Sequence, residues 1–335
     1  MNIQANKKIF RSRFSLKNAK ALIAVIGILI VVLTSVLFFG CKTTSTAGQQ
    51  YVFGYSPAYI EDPYWLRMLE GAQFECANQN VKLLWSDPRN EPATQIKIIE
   101  DFISTKVDFI LVSPVDPEST IEVIERAVDS GIQVVTLGRD VNTEKRLAWR
   151  GQHEYEVGIM TANWIVKNYP DGANLLWVQG PRGASTIEEL VRGAQPIFDK
   201  NPQIKILATD GKGFRREEAL SITENWLQEF DDVDIIYGAY DELALGAMMA
   251  AEAANRLDEI DIIGFNYSAD ARTAFAAGKI KYDLMSQPGL MGVKGVQVAM
   301  DYLTGKNKNP EPIEYIPVVE VTQENYTTLD TKWAP

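Results

Sequence analysis

The chain has 335 residues, 46% hydrophobic and 23% charged, which is long enough for two domains with cores of their own and too ordinary in composition for a disordered or repetitive protein. Residues 1–40 hold six Lys and Arg and no acid; beyond them 27 basic residues face 44 acidic ones, a net of −17. A body this acidic repels a phosphate backbone, which excludes nucleic acid as a partner.

The basic segment from Lys7 to Lys20 leads into an uncharged apolar run, Ala21 to Phe39, then Gly40 and Cys41. That order is a secretory signal. With a small residue before a cysteine, residues 1–40 resemble a bacterial lipoprotein signal peptide, which makes Cys41 the lipidated first residue of the mature chain. Phe38 departs from the leucine commonest in that place. The alternative is an uncleaved membrane anchor. Basic residues precede the run, so both readings put the body outside the cytoplasmic membrane, in the periplasm or on the outer cell surface. Residues 41–50 are small and polar, a linker. Cys76, left as the lone thiol, reads as a small buried hydrophobe in a helix.

From Tyr51 to Tyr55 an apolar run predicts a strand. Asp62-Pro63 then predicts a helix start, because the carboxylate caps free N–H groups and proline pre-sets the first turn. Trp65, Met68, Leu69 and Ala72 follow at helical spacing. Strands are predicted over 81–86, 108–114 and 134–140, with helices over 92–105 and 118–130 between them. The alternation then restarts. Helices are predicted over 154–168, 186–200 (capped by Ser185, with Glu188 completing a capping box), 215–229, from Asp241, over 268–277 and over 289–303. Strands are predicted over 174–180, 204–210, 234–238, 261–265, 280–286 and 315–321. Short apolar runs alternating with helices mean βαβ units and parallel sheets. The fold class is therefore α/β, as two doubly wound lobes joined near Gly151 to His153.

No glycine-rich nucleotide loop and no P-loop lysine is present, so no cofactor is expected. His153 is the one histidine, which leaves triads and multi-histidine metal sites little to work with; it reads as a hinge or cleft contact. What recurs is a polar or aromatic residue at strand ends. Glu61, Asp62, Tyr64 and Trp65 follow the first strand, and Ser113, Arg139, Tyr240-Asp241, Asn266 and Gln287 follow later ones. Each of these taken alone is an ordinary loop residue. Together they face the crevice where open α/β sheets bind ligands.

Residues 51–326 resemble the periplasmic sugar-binding proteins of the ribose and galactose type, whose fold also serves the effector domains of lactose-type repressors. The resemblance rests on GYS…EDPYW…LEGAQ, FILVSPVD, VVTLGRD, YDELALGAM, IIGFNYSAD and MSQPGLMGVKG, in that order. It implies a Venus-flytrap architecture of the type I periplasmic-binding-protein class with three hinge crossovers. The first lobe then spans 51–152 plus 288–316, and the second 153–287 plus 317–335. It implies that Tyr64 and Trp65 sandwich a sugar ring, that Asp62, Ser113, Arg139, Asn266 and Gln287 bond it, and that Phe214 faces it from the second lobe. Glu188 stands where an arginine is usual, Tyr240 where an asparagine is, and Gly138 where an aspartate is, which argues against ribose itself. The implied function is capture of a small sugar or sugar-like solute and delivery to an ABC permease, with no catalytic residue. A sensory binding protein that docks on a chemoreceptor or sensor kinase is the runner-up, and a secreted hydrolase is the rival from another class.

Overall fold

The computed structural model describes residues 50–335. The signal segment, Cys41 and nearly all of the linker lie outside the described residues. Among the described residues no helix is long and apolar enough to cross a membrane.

The first run of elements is β1 (Val52–Ser56), α1 (Pro63–Asn78), β2 (Lys82–Trp85), α2 (Pro92–Thr105), β3 (Phe109–Val112), α3 (Pro117–Asp129), β4 (Gln133–Leu137) and β5 (Ala148–Gly151). The second is α4 (Glu154–Asn168), β6 (Ala173–Val178), α5 (Ser185–Lys200), β7 (Ile204–Asp210), α6 (Arg216–Glu229), β8 (Ile235–Gly238), α7 (Asp241–Ala253), β9 (Asp261–Ile263), α8 (Ala269–Ala276) and β10 (Asp283–Met285). The chain closes with α9 (Pro288–Leu303), β11 (Ile313–Tyr315) and β12 (Val319–Val321).

One parallel sheet runs β2-β1-β3-β4-β5-β11 and another β7-β6-β8-β9; β10 bridges to the latter through Ile263–Tyr282 and Asn266–Met285 and pairs antiparallel with β12. Each lobe thus repeats one order, with its last strand supplied from the far end of the chain. The chain passes between the lobes three times, after β5, after β10 and after β11.

The sheets are parallel because their strands are apolar on both faces. In β3, Phe109 and Leu111 pack with α1 and α9, while Ile110 and Val112 pack with α2 and α3. Helix α1 begins as its sequence dictates: the Asp62 carboxylate accepts the Tyr64 N–H at 2.8 Å, Pro63 opens the first turn, and Trp65, Met68, Leu69, Ala72 and Cys76 are buried. Burial pushes the Cys76 thiol up to about 12, so it stays a neutral hydrophobe. His153 caps α4 with Nδ1, which accepts the Glu156 N–H at 3.2 Å, and its ring rests on Tyr315 at 4.3 Å. It is a hinge residue.

Four expectations change. β5, the sequence AWRG, carries too short an apolar run to stand out. The run 315–321 is two strands, since Pro317 has no N–H to give a ladder and the chain changes sheets there. Ser185 is the first residue of α5 and caps nothing: the helix starts from Ala184, whose carbonyl takes the Glu188 N–H, so no capping box forms. Residues 333–335, grouped by the sequence with the second lobe, touch both. The Trp333 carbonyl accepts from Gly289 N and the Ala334 carbonyl from Arg67 Nε in the first lobe, and the Pro335 carbonyl accepts from Arg272 in the second.

Helices α1 and α9 approach so closely that a Cβ on Gly292 would sit 2.1 Å from the Met68 carbonyl oxygen. Backbone cannot yield as a side-chain tip can. Gly292→Ala is expected to lower stability by about 1–3 kcal/mol, read as a lower urea midpoint at unchanged slope.

In the second lobe Asp241 and Asp283 are 2% and 0% exposed. One oxygen of each is held by a backbone N–H, Ser268 at 2.5 Å and Leu284 at 2.8 Å, and the other has no separate partner. Burial raises both carboxyls, and the Asp241 charge raises Asp283 further, so the pair holds a proton that two free aspartates would have lost. Carboxyls raised in the native state stabilise it below the ordinary aspartate range, and that contribution is lost as pH rises through the native values. Asp283→Asn removes the burden, so its stability relative to the parent should improve from pH 5 to pH 8 in denaturant titrations. A difference independent of pH would mean that the two do not share a proton.

Candidate functional site

The carboxyl ends of both sheets meet at the three chain passages, and a cavity lies between them. Its position follows from strand order. In the first lobe the order reverses between β1 and β3, and in the second between β6 and β8, so the loops after these strands splay apart and leave a crevice.

From the first lobe the cavity is lined by Tyr59, Asp62, Tyr64, Trp65, Gly138 and Arg139. Trp65 is the flat centre of this wall. Tyr64 meets it edge-on at 4.9 Å and the Arg139 guanidinium lies 5.0 Å over its ring. Arg139 Nη1 donates to the carbonyls of Pro114 and Val115 at 3.2 and 2.9 Å, which fixes its plane. The loop that carries those carbonyls is fixed in turn by Gln95, which is fully buried. Its amide nitrogen donates to the Ser56 hydroxyl and the Ser113 carbonyl, and its amide oxygen accepts from Val115 N. Asp62 is occupied on both oxygens, by Tyr64 N and by the Tyr59 hydroxyl at 3.1 Å. Burial still raises its carboxyl.

From the second lobe come Thr186, Phe214, Tyr240, Asp241, Glu242, Asn266 and Ser268. Phe214 meets Tyr240 edge-on at 5.6 Å, a second aromatic corner facing Trp65 and Tyr64. Asn266 and Tyr267 have φ of 121° and 58°, a pair of left-handed residues that turns the chain sharply after β9. This turn places Asn266 at the cavity with its side-chain oxygen buried and unpartnered. The hinge contributes Gln152 and Glu154. Burial lifts the Glu154 carboxyl to about 7, against the opposing bond from Gln152 Nε2 at 3.2 Å.

Of the residues singled out in the sequence, the structure brings Asp62, Tyr64, Trp65, Arg139, Phe214, Tyr240, Asp241 and Asn266 to one cavity, while Glu61 is exposed outside it. Ser113 is fully buried behind that wall, its hydroxyl 3.0 Å from that of Tyr55. Glu188 is exposed in the first turn of α5 and its neighbour Thr186 lines the cavity instead. Gln287 caps no cavity wall; its amide donates to the Pro317 carbonyl at 2.9 Å, across two of the chain passages. Tyr59, Gln152, Glu154, Thr186, Glu242 and Ser268 line the cavity without having been singled out. Glu154 carried a signal of a kind, an acid directly after the joint between the lobes. Among the described residues no group of three or more His, Cys, Asp or Glu is placed to hold a metal ion. The site offers planar apolar faces and fixed oxygens, which suits a small molecule with C–H faces and donor edges.

The family model for the periplasmic binding protein domain matches residues 53–307. The ribose import binding protein of Haemophilus influenzae is 28% identical over 274 residues, 82% of this chain and 93% of that protein. A xylitol-binding protein of Mycolicibacterium smegmatis is 24% identical over 257 residues, 76% of this chain and 73% of its own length. Among solved structures, an ABC transporter solute-binding protein of Bacillus halodurans with bound myo-inositol superposes with a TM-score of 0.79 at 26% identity, covering 87% of this chain and 100% of that one. A match that runs from β1 to beyond the end of α9 takes in most of both lobes and the first two passages between them, and the chain belongs to the family of periplasmic binding protein domains.

Proposed function

We propose that the protein is an extracytoplasmic solute-binding protein that captures a small sugar or polyol in the interlobe cavity and delivers it to an ABC permease. One observation carries the reading: aromatic faces and fixed polar atoms from both lobes line a single cavity at the chain passages. Relatives over most of the chain are binding proteins for ribose, xylitol and myo-inositol by their names, which supports a polyhydroxylated ligand. The lobes are taken as 51–152 plus 288–316 and 153–287 plus 317–335, with residues 1–40 a lipoprotein signal, 41–50 a tether and Cys41 the lipidated anchor.

The mechanism is capture without chemistry. Trp65 and Tyr64 offer ring faces from one lobe, Phe214 and Tyr240 from the other, and Arg139, Asp62 and Asn266 bond the hydroxyl edges. A solute that touches both walls favours the closed arrangement by its differential contacts, and the permease reads that arrangement. Ser113 and Gln287 act at one remove, the first beneath the Trp65 wall and the second at the hinge.

A ligand that binds only the folded form raises the unfolding midpoint with its concentration. Thermal unfolding of the purified protein against a panel of sugars and polyols is expected to show a saturable rise with at least one. Trp65→Ala should weaken that ligand by roughly tenfold or more, since it removes a stacking face. No rise with any polyol sinks the reading.

A further inference from the structure

The charge around the cavity does not balance. Asp62, Glu154, Asp241 and Glu242 line it, and among the described residues Arg139 is the one Lys or Arg that does. Two of the four carboxylates are answered from within the second lobe. Glu242 accepts from Arg216 at 3.0 and 2.8 Å, and Asp241 is held by Ser268 N and by Asp283. Asp62 serves Tyr64 N and the Tyr59 hydroxyl. Glu154 is left over, with Gln152 Nε2 at 3.2 Å. Arg139 is committed to two carbonyls and to the Trp65 ring, and its attraction for Glu154 does not offset the burial that raises that carboxyl.

The neutral polar atoms tilt the same way. Gln152 is 3% exposed with its side-chain oxygen buried and unpartnered, and the Asn266 side-chain oxygen is likewise unpartnered; both residues line the cavity. Both are acceptors. The Glu154 charge also bears on the phenols of Tyr64 and Tyr240, which puts it among the aromatic faces of both lobes. Acceptors in excess of donors, an unanswered carboxylate and surrounding ring faces are the chemistry of a cation site.

We propose that the solute is a protonated amine of the polyol class, an amino sugar or amino-substituted cyclitol, with its ammonium held by Glu154 and Gln152 and its ring against the aromatic walls. This rests on the polyol-binding reading above and narrows it. A hydroxyl in the same place donates one hydrogen bond and leaves the Glu154 charge, which burial already disfavours, without a cation in contact. An ammonium donates three and neutralises it, and hydrogen bonds to a charged partner are the stronger kind.

The test is isothermal calorimetry on the purified protein with matched pairs: glucosamine against glucose, galactosamine against galactose, and amino-deoxy-scyllo-inositol against scyllo-inositol, with the N-acetyl forms as neutral controls for bulk. At pH 7.5 at least one amine is expected to bind about tenfold or more tightly than its hydroxyl partner and its N-acetyl form. Glu154→Gln should bring that ratio towards one. A circular-dichroism melt of the variant tells a lost preference from a lost fold, and Gln152→Leu, which removes the neighbouring acceptor and adds no charge, should narrow the ratio in the same direction. Hydroxyl members that bind as well as or better than their amines overturn the inference while leaving the polyol-binding function standing. Silence from every member removes both.

Discussion

Three passages of the chain hold the carboxyl ends of two parallel sheets against one another, and the rest of the molecule is arranged under that constraint. A parallel sheet sends every strand-to-helix loop to the same edge, so joining two sheets at that edge makes each such loop face the opposite lobe. Residues that would otherwise be scattered loop positions become two walls. The last strand of each sheet comes from beyond α9: the first lobe is complete after two crossings, with β11, and the second only after the third, with β12. Residues 333–335 add a further tie, bonded to α1 and α9 on one side and to Arg272 on the other. His153 and Tyr315 pack, and Gln287 bonds to Pro317, where the chain passes between the lobes.

The walls are fixed before any ligand arrives. Gln95 uses both ends of its amide to tie the loops after β1 and β3 together, and the loop it steadies after β3 supplies the carbonyls that orient Arg139. In the second lobe the turn at Asn266 and Tyr267 holds two residues in the left-handed region, at a cost of order 1–3 kcal/mol each, and presents the Asn266 amide to the cavity. Strain and buried polar bonds at a cavity wall are stability given up for a pocket that need not reorganise on binding.

The fold was legible because its signals are local. Apolar runs such as FILV and DIIYG can be buried only between two helical layers, and Asp62-Pro63 announces α1 by its own chemistry. The failures come where a distant contact decides. AWRG becomes a strand because β4 and β11 lie on either side of it. Pro317 splits one apolar run between two sheets, and Ser185 loses its cap to a helix that starts from Ala184. Within the site, strand-end positions were readable and their direction was not. Ser113 follows β3 as the pattern requires but turns inward to Tyr55, and Glu188 turns to solvent while Thr186 faces the cavity. Gln152 and Glu154 belong to the joint between lobes, and no periodicity marks a joint.

The imbalance of charge also bears on closure. Bringing the lobes together removes water from Asp62, Glu154 and the phenols around them, and carboxylates stripped of water with only Arg139 nearby, already bonded to two carbonyls, resist that step. An empty cavity therefore works against its own closing. A solute that supplies donors, and above all one that supplies positive charge, removes the resistance at the moment it binds, so the same groups that select the solute also couple its presence to the closed arrangement. A solute with too few donors gains the ring contacts and still leaves the carboxylate unanswered, so it binds without favouring closure. In such an arrangement selectivity is exerted on conformation as much as on affinity.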